Sequence, residues 1–363
     1  MSLELLINKN EIEKKIKEIT PNEKDFQILI KKASLEEINN YKFVKFINKG
    51  NASSTAIYKN KKAEKIIVKF LIAPRNSDEL SAFCNEYYAQ YFINNKNMQG
   101  FQAVPKIKIH LKKATNFPIL FFGMEYIEGK SLKDLINEKK DYNKFPLHWK
   151  DALNIIHRIA ITLSEIHVNG FVHRDLHPGN IIILADKETY QGNNLIDTSI
   201  RILDLGNRSS WSIELINPDE YNKQEDKYRP KGSITSWSPE YLLRRNKVIG
   251  MAQDIWALGV MFFYLLSGTY PIYAKSISEL ISKYLKGEES IQWNKLPKNL
   301  PYPILFLLKR MLEFNHNKRI NTGPLTRICY DIRFSNLLEK EPEYIEYYLN
   351  KDGQIDDPLE WIY

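Results

Sequence analysis

The chain has 363 residues, with 52 Lys and Arg against 44 Asp and Glu, a formal net charge of +8, and 43% hydrophobic residues. Length and hydrophobic content exclude a disordered polar chain and suffice for two parts with sizeable cores. Two cysteines, Cys84 and Cys329, exclude a disulfide framework, and the longest apolar run, at 255–266, is too short to span a bilayer and reads as a buried central helix.

Residues 1–40 mix Glu and Lys, as in Glu11-Ile12-Glu13-Lys14-Lys15, and break at Pro21. They read as a solvated, helical N-terminal extension. The start lacks a basic region followed by an apolar block and a cleavage site, so no signal peptide is expected. Together with the sparse cysteines this points to a soluble protein of a reducing compartment, the cytoplasm, with export as an effector left open. Gly50-Asn51-Ala52-Ser53-Ser54-Thr55-Ala56-Ile57 reads as a loop entering a strand, and Lys65-Ile66-Ile67-Val68-Lys69-Phe70 as a β-branched strand. A helix follows, with a capping signal at Asn76-Ser77-Asp78 and apolar residues Leu80, Phe83, Tyr87 and Tyr91 at three- and four-residue spacing.

The segment His173-Arg174-Asp175-Leu176-His177-Pro178-Gly179-Asn180, followed after a strand-like stretch by Asp204-Leu205-Gly206, carries the chemistry. An Asp that can take a hydroxyl proton stands five residues before an Asn, and a second carboxylate arrives from a separate hairpin. Phosphoryl transfer needs this set: positioned oxygens to hold Mg²⁺ against phosphates and a carboxylate to accept a proton.

These motifs resemble the eukaryotic-type (Hanks-type) protein kinase family: the catalytic loop H-R-D-L-x-x-x-N, the metal-binding D-F-G and, at 65–70, the V-A-I-K strand. The resemblance extends to Gly232-Ser233-Ile234-Thr235-Ser236-Trp237-Ser238-Pro239-Glu240, similar to G-T-P-x-Y-x-A-P-E. It continues in Asp254-Ile255-Trp256-Ala257-Leu258-Gly259-Val260 and in Asn315-His316-Asn317-Lys318-Arg319. It implies a bilobal α+β fold: an extension at 1–40, a small β-rich lobe with one key helix at 41–124, a hinge and larger mainly helical lobe at 125–337, and an acidic tail at 338–363. It also implies ATP with Mg²⁺ or Mn²⁺ as cofactors, and Ser/Thr hydroxyls of protein substrates as acceptors, with autophosphorylation.

The resemblance assigns roles residue by residue. Asp175 becomes the catalytic base, with Arg174 and His177 beside it, and Asn180 and Asp204 the metal ligands. Lys69 becomes the phosphate-binding lysine, with Lys65 as the alternative, and Glu86 its partner, with Glu79 as the alternative. Gly50, Ala52, Ser53 and Ile57 become the loop over the phosphates, and Met124, Glu125 and Ile127 the adenine edge. Glu240, Arg319 and Asp254 become structural anchors, Glu240 and Arg319 as a buried ion pair, and Ser233 the residue that contacts the catalytic Asp.

The chain also departs from the pattern. Only the first glycine of G-x-G-x-x-G remains, Gln90 stands where an apolar residue usually follows the Glu by one turn, and His177 replaces the Lys of Ser/Thr kinases, with Gly179 where tyrosine kinases place an Arg. A His can donate to phosphate but is only partly charged near neutral pH, so modest turnover is expected, raised by His177→Lys. Arg174 points to control by phosphorylation among Ser209, Ser210, Ser212, Tyr221, Tyr228 and Thr235, or to pairing with Glu214, Asp219 or Glu220. Two other functions stay open: a pseudokinase, and a small-molecule phosphotransferase of the aminoglycoside or choline type, whose H-P-G-N is shared but which lacks the downstream anchors. Residues 335–363 carry a net −6, which against +8 for the chain leaves +14 on the rest. No nucleic-acid module accompanies that charge, so it reads as solubility, with the tail folding back as an option.

Overall fold

The computed structural model describes residues 23–49, 53–74, 76–96, 102–115, 117–184, 200–205, 236–243, 250–334 and 338. The chain divides into two units and passes from the first to the second between Glu128 and Gly129. The first is β-rich and the second mainly helical, the α+β division expected from the sequence.

The first unit opens with helix α1 (Glu23–Lys32) and holds strands β1 (Glu37–Ile38), β2 (Tyr41–Lys49), β3 (Ser54–Lys59) and β4 (Lys65–Ile72). Helix α2 (Ser77–Lys96) and strands β5 (Ile107–Lys113) and β6 (Ile119–Glu125) complete it. The six strands form one antiparallel sheet in the order β1-β2-β3-β4-β6-β5. Side chains alternate across a strand, and β4 uses both faces. Ile66, Val68 and Phe70 join a cluster with Phe26, Leu29 and Ile30 of α1, whereas Leu71 and Ile67 join Leu80, Phe83 and Tyr87 of α2.

The expectation of a solvated helix ahead of the sheet therefore fails for α1. Phe26 is fully buried, its ring 4.8 Å from Phe46 and 5.4 Å from Phe70, and Tyr58 donates its hydroxyl to the Leu35 carbonyl at 2.7 Å. The stretch Glu11–Lys15 lies outside the described residues.

The second unit contains a three-stranded antiparallel sheet of β7 (Gly129–Ser131), β8 (Ile181–Leu184) and β9 (Ile200–Ile202). Its helices are α3 (Leu132–Asp141), α4 (Trp149–Val168), α5 (Pro239–Leu242), α6 (Ala252–Ser267), α7 (Ile277–Leu285), α8 (Tyr302–Met311) and α9 (Thr322–Phe334). Helix α6 is the apolar run at 255–266, and 13 of its residues are buried. Gly259 lets α8 approach it, because a methyl group there would stand 3.0 Å from Met311 Cβ. Among the described residues no helix is long and apolar enough to cross a membrane.

Where α4 meets α9, His157 Nδ1 and an Arg333 guanidinium nitrogen lie 3.0 Å apart. Burial, and then the Arg333 charge, push His157 down to about 4. The folded value lies below the ordinary value of about 6.5, so this contribution is complete above pH 6.5 and is lost as pH falls towards 4. It amounts to at most about 3 kcal/mol. A His157→Gln variant is expected to lose stability less steeply than wild type in urea titrations between pH 6.5 and 4; equal slopes would contradict this.

Candidate active site

In the first unit, strand alternation puts Lys69 on the α2 face of β4, between Ile67 and Leu71, and Glu86 on the face of α2 that packs there. Their side chains form a buried ion pair, Lys69 6% and Glu86 2% exposed. Lys65 is instead exposed, 3.8 Å from Glu128 and 5.1 Å above the Tyr126 ring. Helix α2 begins at its capping signal, with the Glu79 amide donating to Asn76 Oδ1 at 2.9 Å.

Gln90, one turn beyond Glu86, is buried because its amide donates to the Pro105 carbonyl at 2.8 Å. That nitrogen also lies 3.7 Å from Met124 Sδ. A polar side chain is thus accommodated where an apolar one was expected. Ile57 is buried in β3 opposite Ile67, and Ser53 is half-buried just before that strand. Glu125 ends β6 with its carboxylate accepting from Gln102 Nε2 at 2.7 Å and from the Lys106 amide at 3.2 Å. Ile127 lies between β6 and β7. Gly50 and Ala52 lie outside the described residues.

In the second unit, residues 171–177 form a loop that enters a 3-10 turn at Pro178–Asn180 and then β8. The Asp254 carboxylate holds this loop: Oδ2 accepts from the His173 amide at 2.7 Å and faces His167 Nε2 at 2.9 Å, and Oδ1 accepts from the Arg174 amide at 2.8 Å. Burial alone would raise the Asp254 pKa, but the His167 contact and the neighbouring charges and amide hold it low. Gln253 adds a bond from its side-chain nitrogen to the Arg174 carbonyl at 3.2 Å. Arg174 and Asp204 both sit at positive φ, 67° and 61°. Each such conformation costs roughly 1–3 kcal/mol and persists only where its surroundings enforce it.

His173 is fully buried and spans the site. Its Nδ1 accepts from the Asp175 amide at 3.2 Å, which leaves the hydrogen on Nε2, 2.8 Å from the Leu203 carbonyl. The loop before Asp204 is so tied to the loop bearing Asp175. The hairpin does the same for Asn180: Ile181 pairs with Ile202, and the Leu203 amide donates to the Asn180 carbonyl at 2.8 Å. The Asn180 side-chain nitrogen donates to the Asp175 carbonyl at 3.0 Å, which leaves Oδ1 as the atom available to a cation. Asp175 Oδ1 is buried with no hydrogen-bond partner among the described residues.

His177 caps the 3-10 turn, its Nδ1 accepting from the Gly179 amide at 3.0 Å. Its pKa is lowered, first by burial and then by His173 and Lys133, against the opposing pull of Asp175 and Asp204.

Further along, Arg319 grips Glu240 with two nitrogens, at 2.7 and 3.0 Å, and donates to the Glu313 and Ala252 carbonyls at 2.9 and 2.7 Å. Burial would raise the Glu240 pKa, but the Arg319 bonds and charge bring it down. Ser238 caps α5, and Tyr284 of α7 donates to the Trp237 carbonyl at 2.5 Å.

Residues 41–330 match the family model of the protein kinase domain. The chain belongs to the protein kinase family. It is similar to the serine/threonine-protein kinase PrkC of Bacillus subtilis (strain 168), 32% identical over 190 residues that cover 52% of this chain and 25% of that protein. It is also similar to the calcium/calmodulin-dependent protein kinase type 1B of Rattus norvegicus, 29% identical over 194 residues, 53% of this chain and 49% of that protein. The type 1 enzyme of Caenorhabditis briggsae is 30% identical over 169 residues, 47% and 40% of the two chains. The chain spans between a quarter and a half of the length of these relatives.

Within this protein kinase chain, the structure brings Arg174, Asp175, His177, Asn180 and Asp204 into one cluster in the second unit, and Lys69 and Glu86 into contact in the first. Ser233 and the six expected phosphate acceptors in the same long segment, Ser209 to Thr235, lie outside the described residues. Asn180 and Asp204 fit a hard cation such as Mg²⁺, which takes a few protein oxygens and completes its shell with water and phosphate. Sequence reasoning missed His167 and Gln253, and it marked Gln90 as a departure without finding its partner at Pro105. The one signal for His167 was a His ending an otherwise apolar helical face.

Proposed function

We propose that the chain is an ATP-dependent protein kinase that moves the γ-phosphate of Mg-ATP to Ser or Thr hydroxyls of protein substrates, itself included. The observation that carries this reading is Asp175 Oδ1, buried with no hydrogen-bond partner among the described residues, on a loop whose backbone is tied to Asp254, His173 and Asn180. A buried carboxylate oxygen without a donor is costly in a merely structural role and useful to an incoming hydroxyl.

Asp175 orients that hydroxyl and takes its proton as the oxygen bonds to phosphorus and the bond to ADP breaks. Asn180 Oδ1 and the Asp204 carboxylate hold Mg²⁺, and Lys69, kept in place by Glu86, binds ATP phosphate oxygens. Mg²⁺ supplies neutralisation of the charge on the phosphate oxygens. Gly50, Ala52, Ser53 and Ile57 cover the nucleotide, and Met124 and the backbone of Glu125 and Ile127 meet the adenine. Glu240 and Arg319 fix the loop on which the protein substrate rests. The partners are protein substrates, with no specific nucleic acid.

Transfer from labelled ATP to a degenerate peptide library, beside an aminoglycoside and choline, tests the acceptor class. Label on Ser and Thr peptides is expected; label on a small molecule alone would make the chain a small-molecule phosphotransferase, and ATP binding without transfer would make it an interaction module.

A further inference from the structure

The turn at 177–179 is where the cluster departs most from the family pattern, and two residues there are coupled. His177 Nδ1 accepts the Gly179 amide hydrogen at 3.0 Å. A ring nitrogen that accepts has no hydrogen of its own, so the imidazole in this bond is neutral with its hydrogen on Nε2. A methyl group on residue 179 would stand 2.9 Å from His177 Cε1 and 3.0 Å from Nδ1. Any side chain at 179 must therefore displace the ring from its place over the Gly179 amide.

We propose that Gly179 is a positioning residue for His177: its amide and its bare α-carbon together lock the imidazole in the Nε2–H form. The turn thus presents a neutral hydrogen-bond donor to the phosphate where Ser/Thr kinases present an ammonium. The phosphate-facing part rests on the kinase reading; the lock does not. In chains with K-P-E-N at these positions no ring occupies the space, so a side chain at 179 is tolerated. His at 177 thus requires Gly at 179, whereas Lys at 177 does not.

The full chain labelled with ¹⁵N in its histidines tests this. His177 signals are assigned by their disappearance in His177→Asn, and kcat and KM are measured on the same variants with Mg-ATP and an accepting peptide. The expected spectrum has an unprotonated Nδ1 and a protonated Nε2 for His177, a pattern lost in Gly179→Ala. That variant is expected to lose about tenfold in kcat, with KM for ATP changed less than about twofold. In a His177→Lys background the same Gly179→Ala change is expected to move kcat by less than about twofold, because no ring remains to displace.

His177→Asn keeps an acceptor for the Gly179 amide but misplaces the donor, and is expected to lose about tenfold in kcat without loss of thermal stability. A hydrogen on Nδ1, equal Gly179→Ala penalties in both backgrounds, or full activity in His177→Asn would each overturn the proposal. The spectrum is read without ATP. An inactive wild type with the expected spectrum would sink the kinase reading and leave the lock standing.

Discussion

Asp175→Asn is expected to lower kcat by about 10²–10⁴ while leaving KM for ATP within about twofold and the melting temperature unchanged or raised. The three parts follow from one geometry. Removing the carboxylate removes the acceptor for the hydroxyl proton, an interaction needed only as the transfer occurs, so the loss falls on kcat. The ties that hold the loop are made by the backbone of residue 175: its amide donates to His173 Nδ1, and its carbonyl accepts from Asn180. Those ties survive the substitution. Among the described residues the buried Oδ1 makes no hydrogen bond that stability could lose, and a neutral amide relieves the cost of a buried charge. Steady-state kinetics and thermal melts on the two proteins check this. A loss smaller than tenfold would remove Asp175 from the role of base, and a large drop in melting temperature would mean that its carboxylate holds the fold.

Arg319→Ala is expected to cost about 3–5 kcal/mol of stability, the largest single effect outside the catalytic loop. Arg319 meets Glu240 through two parallel bonds, donates to two backbone carbonyls, and lies 5.1 Å over the Trp256 ring. Truncation leaves Glu240, 5% exposed, as a buried carboxylate deprived of this pairing, and leaves two carbonyls without this donor. Arg319→Lys keeps the charge but cannot form the planar two-bond grip, so an intermediate loss is expected.

Replacing both residues by Leu should recover part of the loss, because a buried pair is costly to break and much less costly to replace whole. The Glu240 carboxyl is held low, so its contribution is present above the ordinary carboxylate range and lost as pH falls through the folded value. Thermal melts of the three variants beside wild type check the ordering. A loss under about 1 kcal/mol in Arg319→Ala would place the pair among exposed ion pairs, which contribute little.

Legibility in the sequence followed the range of the contacts. The stretch from Asp175 to Asn180 was readable because its spacing is enforced locally, by an amide that reaches back five residues to a carbonyl. Asp204 was readable because a two-strand hairpin returns the chain to that point. Helix α1 was misread, although Phe26, Leu29, Ile30 and Ala33 follow a helical spacing; the Glu and Lys residues ahead of Pro21 masked that stripe.

His167 and Gln253 could not be found from spacing. His167 meets Asp254 across 87 positions, and Gln253 meets Arg174 across 79, contacts that only the tertiary fold brings about. Gln90 looked like a departure from an apolar position, and its partner is a loop carbonyl at Pro105 that no local pattern announces. The tautomer of His177 depends on a bond two residues away whose existence requires a glycine.

Intact mass of the purified protein, followed over time with Mg-ATP beside an Asp175→Asn control, tests phosphoryl transfer with no knowledge of the substrate. The account predicts that wild type alone gains one or more phosphates and that they map to Ser or Thr. ATP binding with no gain in mass in the presence of Mg²⁺ or Mn²⁺, or an equal gain in the Asp175→Asn control, would contradict it.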